Sequence, residues 1–200
     1  MKIINRQYFL TFAVMALLLV LFPFLVFADV NIKDQIAQLK SPDPTIQKKD
    51  LYVLLKESGR RASELNKLLM PVEQIQTLPQ SKRESVEKLE SELLMVQDGL
   101  DVALQENPLF YSYIEEAFDD PDWQVRLGAV SVLHDMIQFF KKRESIPLLI
   151  SKLDDSSDEV KEAAILALKG PTDAQYKTGK DFKGDKALWQ QWWQEHQGEY

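Results

Sequence analysis

The residues best suited to acid–base or metal chemistry are two histidines, because the chain contains no cysteine. Thiolate catalysis and cysteine-based metal sites are therefore excluded. No His-x-x-x-His pair, no Ser–His–acid motif and no glycine-rich phosphate loop is present. His134 follows Leu133 at the edge of an apolar stripe, and His196 lies near the end of the last helix, where a cation suits the helix dipole. Both histidines are thus expected to have structural roles.

Acidic residues form two dense turns, which are the remaining candidates for chemistry. They comprise Asp119, Asp120, Asp122 in one turn and Asp154, Asp155, Asp158 in the other. Such turns could attract calcium, but the EF-hand spacing with its Gly and terminal Glu is missing. Capping of helix N-termini is the expected role.

A hydrolase or lyase that uses carboxylates is the catalytic alternative. Glu115, Glu116 and Asp120 are the residues it would employ, but no base or metal ligand accompanies them in a recognisable pattern. The sequence therefore predicts no enzyme activity, no metal and no cofactor.

Two apolar stripes with helical spacing lie on either side of the first acidic turn. The first runs from Leu109 to Phe118 and the second from Val125 to Phe140. Pro121 and its acidic neighbours end one helix and cap the next. This segment is predicted to be a helical hairpin.

The hairpin pattern recurs on both sides of this copy. Shifting by 35 residues places Val160 on Val125 and Asp155 on Asp120. A shift of 79 residues in the other direction places Ile46 on Val125, and a weaker copy results. A helical unit that repeats in this way is typical of an all-α solenoid.

The stretch between the first and second copies has a different pattern. Pro71 and Pro79 bracket a predicted bend, and apolar residues from Val86 to Ala103 then follow heptad spacing. We expect a helix from Ser81 to about Gln105, which forms an elongated hairpin with a helix of residues 58–70. Packing within the chain and contact with a second copy are both compatible with this stripe.

The C-terminal tail is rich in tryptophan. A polar loop leads to Asp185, a good N-cap, and then to a short helix that carries Trp189, Trp192 and Trp193 on one face. This helix is expected to cover the open apolar end of the solenoid. Alternatively, exposed indoles bind a partner, a glycan or the membrane interface.

The N-terminus has the parts of a secretory signal peptide. Lys2 and Arg6 precede an apolar run from Tyr8 to Ala28. The run is long enough that an uncleaved anchor through residues 8–28 is the alternative. Both predict that the remainder lies outside the cytoplasm, in the periplasm or secreted, and membrane contact is expected only if the segment is uncleaved.

Charge argues against nucleic acid as a partner. The full chain has 24 Lys and Arg against 31 Asp and Glu, and loss of Lys2 and Arg6 with the signal peptide leaves a net charge of −9. Nucleic-acid affinity comes largely from clustered basic residues.

Two segments, Asp119 to Leu133 and Asp154 to Leu168, resemble the turn and second helix of HEAT repeats. The resemblance covers residues 109–170 well and 32–58 loosely. The tail is similar to the Thr-Gly-x-Asp-Phe…Trp-x-x-Trp-Trp ending of some exported bacterial HEAT-repeat proteins. The family implies a protein-binding or scaffolding solenoid.

The same resemblance implies a ladder of hydrogen bonds along the stack. In such repeats, the Asp of the turn and the Arg that follows the Val commonly bond along the stack. Asp122 and Arg126 match these positions, whereas Ser157 and Lys161 depart from them. An incomplete ladder is therefore expected.

Together these patterns predict five segments. They are a signal peptide or anchor at 1–28, a degenerate HEAT-like hairpin at 29–58, an elongated hairpin at 59–106, two HEAT-like repeats at 107–170, and a loop with a capping helix at 171–200. The predicted function is binding or scaffolding of another protein, and the alternative is a structural envelope protein held by an uncleaved anchor. The residues expected to face a partner are Gln124, Leu127, Ser131 and Gln138 on the second helix of a repeat, with Trp189, Trp192 and Trp193 in the tail.

Overall fold

The computed structural model describes residues 31–68, 79–140, 145–172 and 182–199, without the side chains of 138–140, 170–172 and 199. These residues form helices and connecting turns, with no β-strand among them. The all-α prediction is confirmed for this part of the chain. Within the same ranges, none of the helices has the length and apolar character needed to span a bilayer. The predicted signal segment, residues 1–28, lies outside the described residues.

The described part of the chain contains eight α-helices. They are α1 Ile32–Gln38, α2 Pro44–Leu68, α3 Gln80–Glu106, α4 Leu109–Ala117, α5 Trp123–Phe140, α6 Ile146–Ser151, α7 Asp158–Thr172 and α8 Lys186–His196. Short 3-10 turns follow α6 and α8, at Lys152–Asp154 and Gln197–Glu199. Pairs of helices that follow one another in the chain form three hairpins, α1–α2, α4–α5 and α6–α7. Helix α3 lies between the first and second hairpins in sequence.

The turns of the three hairpins share one hydrogen-bond pattern. The backbone N–H of Asp43 donates to Ser41 Oγ at 3.2 Å, that of Asp122 to Asp120 Oδ1 at 2.8 Å, and that of Ser157 to Asp155 Oδ1 at 2.9 Å. These donors and acceptors are the residues that the offsets of 79 and 35 pair. The alignment of the three copies is therefore confirmed by their turn geometry, and the weak first copy has the same turn as the others.

The second helices of the hairpins stack side by side. Helix α2 packs along α5, and α5 packs along α7. At the first of these contacts the backbones nearly touch, because Gly59 of α2 lies against the carbonyl of Gln124 and Gly128 of α5 lies against the carbonyl of Leu55. Two glycines thus set the spacing between the first and second hairpins.

Helix α2 is longer than the sequence pattern predicts. It runs without a break from Pro44 to Leu68, so one helix serves both the first hairpin and the elongated hairpin that follows. No proline lies inside this span, and the glycine at position 59 is used at a helix crossing rather than as a helix end. The separate helix of residues 58–70 is therefore not observed.

Helix α3 returns along α2, close to its predicted bounds. Its heptad residues Val96, Leu100 and Ala103 are buried in the same core as the hairpins, and Val86 is buried nearer the start. Arg61, itself buried on α2, donates from Nε to Glu92 of α3 at 3.1 Å. This arrangement favours packing of the heptad stripe within the chain.

Candidate protein-binding surface

Arg126 joins the second and third hairpins through a nearly buried ion pair. Its Nε and Nη2 donate to the two oxygens of Asp155 at 2.8 and 2.7 Å, and the side chains are only 9% and 4% exposed. Nη1 also donates to the backbone oxygen of Asp120 at 2.7 Å. Burial alone would raise the pKa of Asp155, but hydrogen bonds from Arg126 and from the Ser157 N–H lower it instead.

The predicted ladder is present with different partners. Arg126 bonds to Asp155, the counterpart of Asp120, and the expected break at Ser157 does not interrupt it. Asp122 instead forms an ion pair with Lys56 of the first hairpin, at 2.8 Å. The contact between the second and third hairpins is therefore made by Asp155, two residues before the cap Ser157, and not by the residue equivalent to Asp122. That the ladder as a whole is incomplete stays a prediction. Lys161 pairs with Asp158 of its own helix.

Two of the three carboxylates considered for hydrolysis form contacts that stabilise the fold, and the third is exposed to solvent. Glu116 pairs with Lys48, and Asp120 accepts the turn hydrogen bond. Glu115 is exposed. Over the described ranges, no group of three His, Asp or Glu side chains is arranged to hold a metal ion.

The tail helix α8 buries two of its three tryptophans. Trp189 and Trp192 are 1% and 2% exposed, whereas Trp193 is partly exposed. Trp189 packs edge-on against Phe182 with ring centroids 5.0 Å apart, and its Nε1 donates to the carbonyl of Lys183 at 3.0 Å. Helix α8 packs against α6, at the last hairpin. This burial leaves Trp189 and Trp192 little surface for a partner.

Asp185 caps α8, as its position in the sequence predicts. Its carboxylate accepts a hydrogen bond from the Leu188 N–H at 3.1 Å. The turn before α8 contains Lys183, whose backbone adopts the left-handed conformation with a φ of 46°. Lys186 extends to Asp154 at 2.8 Å and so ties α8 to the last hairpin turn.

The four residues predicted to face a partner from α5 have different environments. Leu127 is buried, at 5% exposure, and therefore packs in the core. Gln124 and Ser131 are partly exposed, and Ser131 donates to the Leu127 carbonyl at 3.2 Å. The side chain of Gln138 lies outside the described residues.

A groove of about 400 Å³ crosses the second helices of the last two hairpins and touches α3. Its lining residues are Gln97 from α3, Val130, Ser131, His134 and Asp135 from α5, and Ala163, Leu166 and Ala167 from α7. Val130 and Ala167 form a buried apolar floor. Leu166 is 68% exposed, which makes it the most exposed of the large apolar side chains described.

One carboxylate, that of Asp135, lines this groove, and Asp101 of α3 lies one helical turn after the lining residue Gln97. The pKa of Asp101 is raised from 3.8 to about 6, mainly by burial and in addition by the nearby charges of Asp135 and Asp98. Burial also raises the pKa of Asp135, against the opposing effect of His134. None of these three aspartates has an ion-pair partner among the described residues.

His134 adds a polar atom to the groove. Its Nδ1 is buried and has no hydrogen-bond partner within the described ranges. A ring nitrogen can accept or donate a hydrogen bond, depending on the tautomer. The sequence placed His134 at the edge of the apolar stripe, and it is partly exposed there.

Among the predicted partner-facing residues of α5 whose side chains the structure describes, Ser131 lines the groove and Gln124 and Leu127 do not. Sequence reasoning missed Leu166 and the aspartates of α3. One available signal was the position of Leu166, which lies off the apolar stripe of α7 and is nevertheless a large apolar residue. The approach of α3 to α5 carries no comparable signal, because it depends on tertiary packing.

Comparison with known proteins agrees with this architecture. The model of the family described as HEAT repeats matches residues 112–179, about a third of the chain. The match and the helical fold together support a HEAT-repeat protein. No curated protein and no solved structure matches the chain significantly. HEAT repeats generally mediate protein–protein interactions, and HEAT-repeat proteins are typically non-catalytic scaffolds.

Proposed function

We propose that this protein is a non-catalytic binding module for another protein, that it acts outside the cytoplasm, and that its partner binds in the groove between α3, α5 and α7. The observation that carries the proposal is the exposed Leu166 beside the apolar floor of Val130 and Ala167. Exposed apolar surface next to polar residues is typical of interaction sites. The HEAT repeats supply the scaffold that holds these side chains.

Capture from an envelope extract tests the binding site. The wild-type protein is compared with Leu166→Glu and with Leu109→Glu, because Leu109 is a second exposed leucine, 57% exposed, on α4. We expect a specific protein to be captured by the wild type and by Leu109→Glu and to be lost with Leu166→Glu. Equal capture by the wild type and both variants would contradict binding in the groove.

The compartment is proposed from residues 1–28 and needs its own test. N-terminal sequencing of the protein from fractionated cells should give a chain that begins at Asp29 in a soluble envelope fraction. An intact N-terminus in the membrane fraction would establish the anchored alternative. Recovery of the intact chain from the cytoplasm would refute export.

A further inference from the structure

The groove combines an apolar floor with an excess of negative charge. Asp135 lines the groove from α5, and on α3 Asp98 follows the lining residue Gln97 directly while Asp101 lies one helical turn after it. On α7, helical spacing places Glu162 and Lys169 one turn before and one turn after Leu166. Counted with His134 neutral, these groups comprise four acids against one base.

The aspartates of the groove disfavour the isolated fold at neutral pH. A partly buried carboxylate loses part of its hydration. When its neighbours are like charges and no cation is near, nothing compensates for this loss. Asp155, by contrast, is buried against the guanidinium of Arg126. A cation supplied by a partner would offset the charges of the groove in the same way.

Small side chains leave space above the floor. Ser131 on α5 and Ala163 and Ala167 on α7 line the middle of the groove, so a partner side chain can approach the helix backbones. Leu166 stands beside them and offers an apolar contact.

We propose that the groove binds a cationic amphipathic segment of the partner protein, with an apolar side chain on the floor beside Leu166 and Lys or Arg side chains at Asp98, Asp101 and Asp135. This inference rests on the proposed function and specifies the chemistry of the partner. Charge complementarity selects this occupant over an acidic or neutral segment. An apolar contact surrounded by charged pairs is also the usual arrangement of a helix bound in a groove.

A designed peptide tests the proposal directly. The probe is a labelled 14-residue helical peptide with Leu along one face, Lys beside it, and Ala and Gln elsewhere. The comparison peptide has Glu in place of every Lys. Binding to the purified protein is measured by fluorescence anisotropy, and we expect the Lys peptide to bind and the Glu peptide not to bind.

Variants of the protein locate the binding site. Asp101→Asn with Asp135→Asn should weaken binding of the Lys peptide about tenfold or more, and Leu166→Ser should weaken it about fivefold. The matched control, Glu87→Gln with Glu90→Gln, removes the same charge from exposed positions nearer the start of α3 and should change affinity less than about twofold. Circular dichroism confirms that each variant is folded.

The pH dependence gives a second readout. A bound cation keeps Asp101 ionised, so affinity should fall about tenfold as the pH is lowered from 7 to 5. The double Asp→Asn variant should lose most of this dependence.

Three results would overturn the proposal. They are failure of the Lys peptide to bind, equal binding of the Glu peptide, and equal weakening by the Glu87/Glu90 control. If the peptide fails while capture through Leu166 succeeds, the groove binds a partner of other chemistry. If both fail, the proposed function falls as well.

Discussion

At the scale of single residues, two aspartates with opposite environments show how this chain uses charge. Asp155 is buried against Arg126, and its pKa is lowered. Asp101 lies next to the groove, is half-buried near the like charges of Asp135 and Asp98, and has its pKa raised to about 6. The first stabilises the stack, whereas the second disfavours it and leaves a negative charge for a partner. Their pH effects therefore have opposite signs.

Asp101→Asn should stabilise the protein when no partner is bound. The folded state of the wild type binds more protons than the unfolded state between pH 3.8 and about 6, so its stability falls as the pH rises through that range. We expect the variant to melt about 1–3 °C higher at pH 7.5 and to lose this dependence. Thermal denaturation at several pH values measures both. A lower melting temperature for the variant at pH 7.5 would contradict the account.

Arg126→Ala should be strongly destabilising because it leaves Asp155 buried without a cation. We expect a loss of about 3–5 kcal/mol in the free energy of unfolding, measured by urea denaturation. Lys161→Met removes a more exposed ion pair with Asp158 and should cost less than about 1 kcal/mol. Similar losses for the two variants would show that Arg126 does not hold the hairpins together.

At the scale of helices, the contact between α2 and α5 depends on two glycines. A Cβ on Gly59 would collide with the carbonyl of Gln124, and a Cβ on Gly128 would collide with that of Leu55. Backbone atoms cannot move aside as a flexible side chain can. The helices would have to separate, and the apolar contacts on either side would be lost.

Gly59→Ala and Gly128→Ala are therefore each expected to destabilise the fold by about 1–3 kcal/mol, although alanine favours helix by about 1 kcal/mol. Gly99→Ala should cost less, because its Cβ would meet only the movable side chain of Ile36. Gly198→Ala is the control, since nothing lies within 4 Å of its Cβ. Chemical denaturation of the four variants gives the order. Stabilisation by alanine at position 59 or 128 would show that the helices are not in contact there.

The hairpins themselves could be predicted from sequence because each depends on local signals. Apolar residues at helical spacing define the stripes, and turn acids such as Asp43 and Asp122 occupy equivalent places in the repeats. The continuity of α2 was missed because Gly59 was not recognised as a packing position. A glycine that ends a helix and one at a helix crossing look the same in a single sequence.

The groove could be predicted only in part. Ser131 was identified because it lies off the apolar stripe of a second helix, and Leu127 was misplaced by the same reasoning because a neighbouring element buries it. The contribution of Asp101 requires α3 to approach α5, and residues 101 and 135 are far apart in the chain. Long-range packing of this kind leaves no periodic pattern.

At the scale of the whole molecule, the stack of hairpins has ends that must be covered. Helix α8 packs on α6 and contributes Trp189 and Trp192 to the common core. Trp189→Ala should lower the melting temperature by roughly 6–20 °C, because a fully buried indole is lost. Trp193→Ala, at a partly exposed position of the same helix, should have a much smaller effect. Equal effects would argue that α8 does not cover the end of the stack.

In the proposed function, the stack of hairpins presents the groove to a partner protein. Site-specific photo-crosslinking in living cells tests this most directly, with a photoreactive amino acid placed at Leu166 or, as the control, at Leu109. We predict a discrete crosslinked product with one partner polypeptide from position 166 and none from position 109. The absence of a product at 166, or the same product from both positions, would contradict the account.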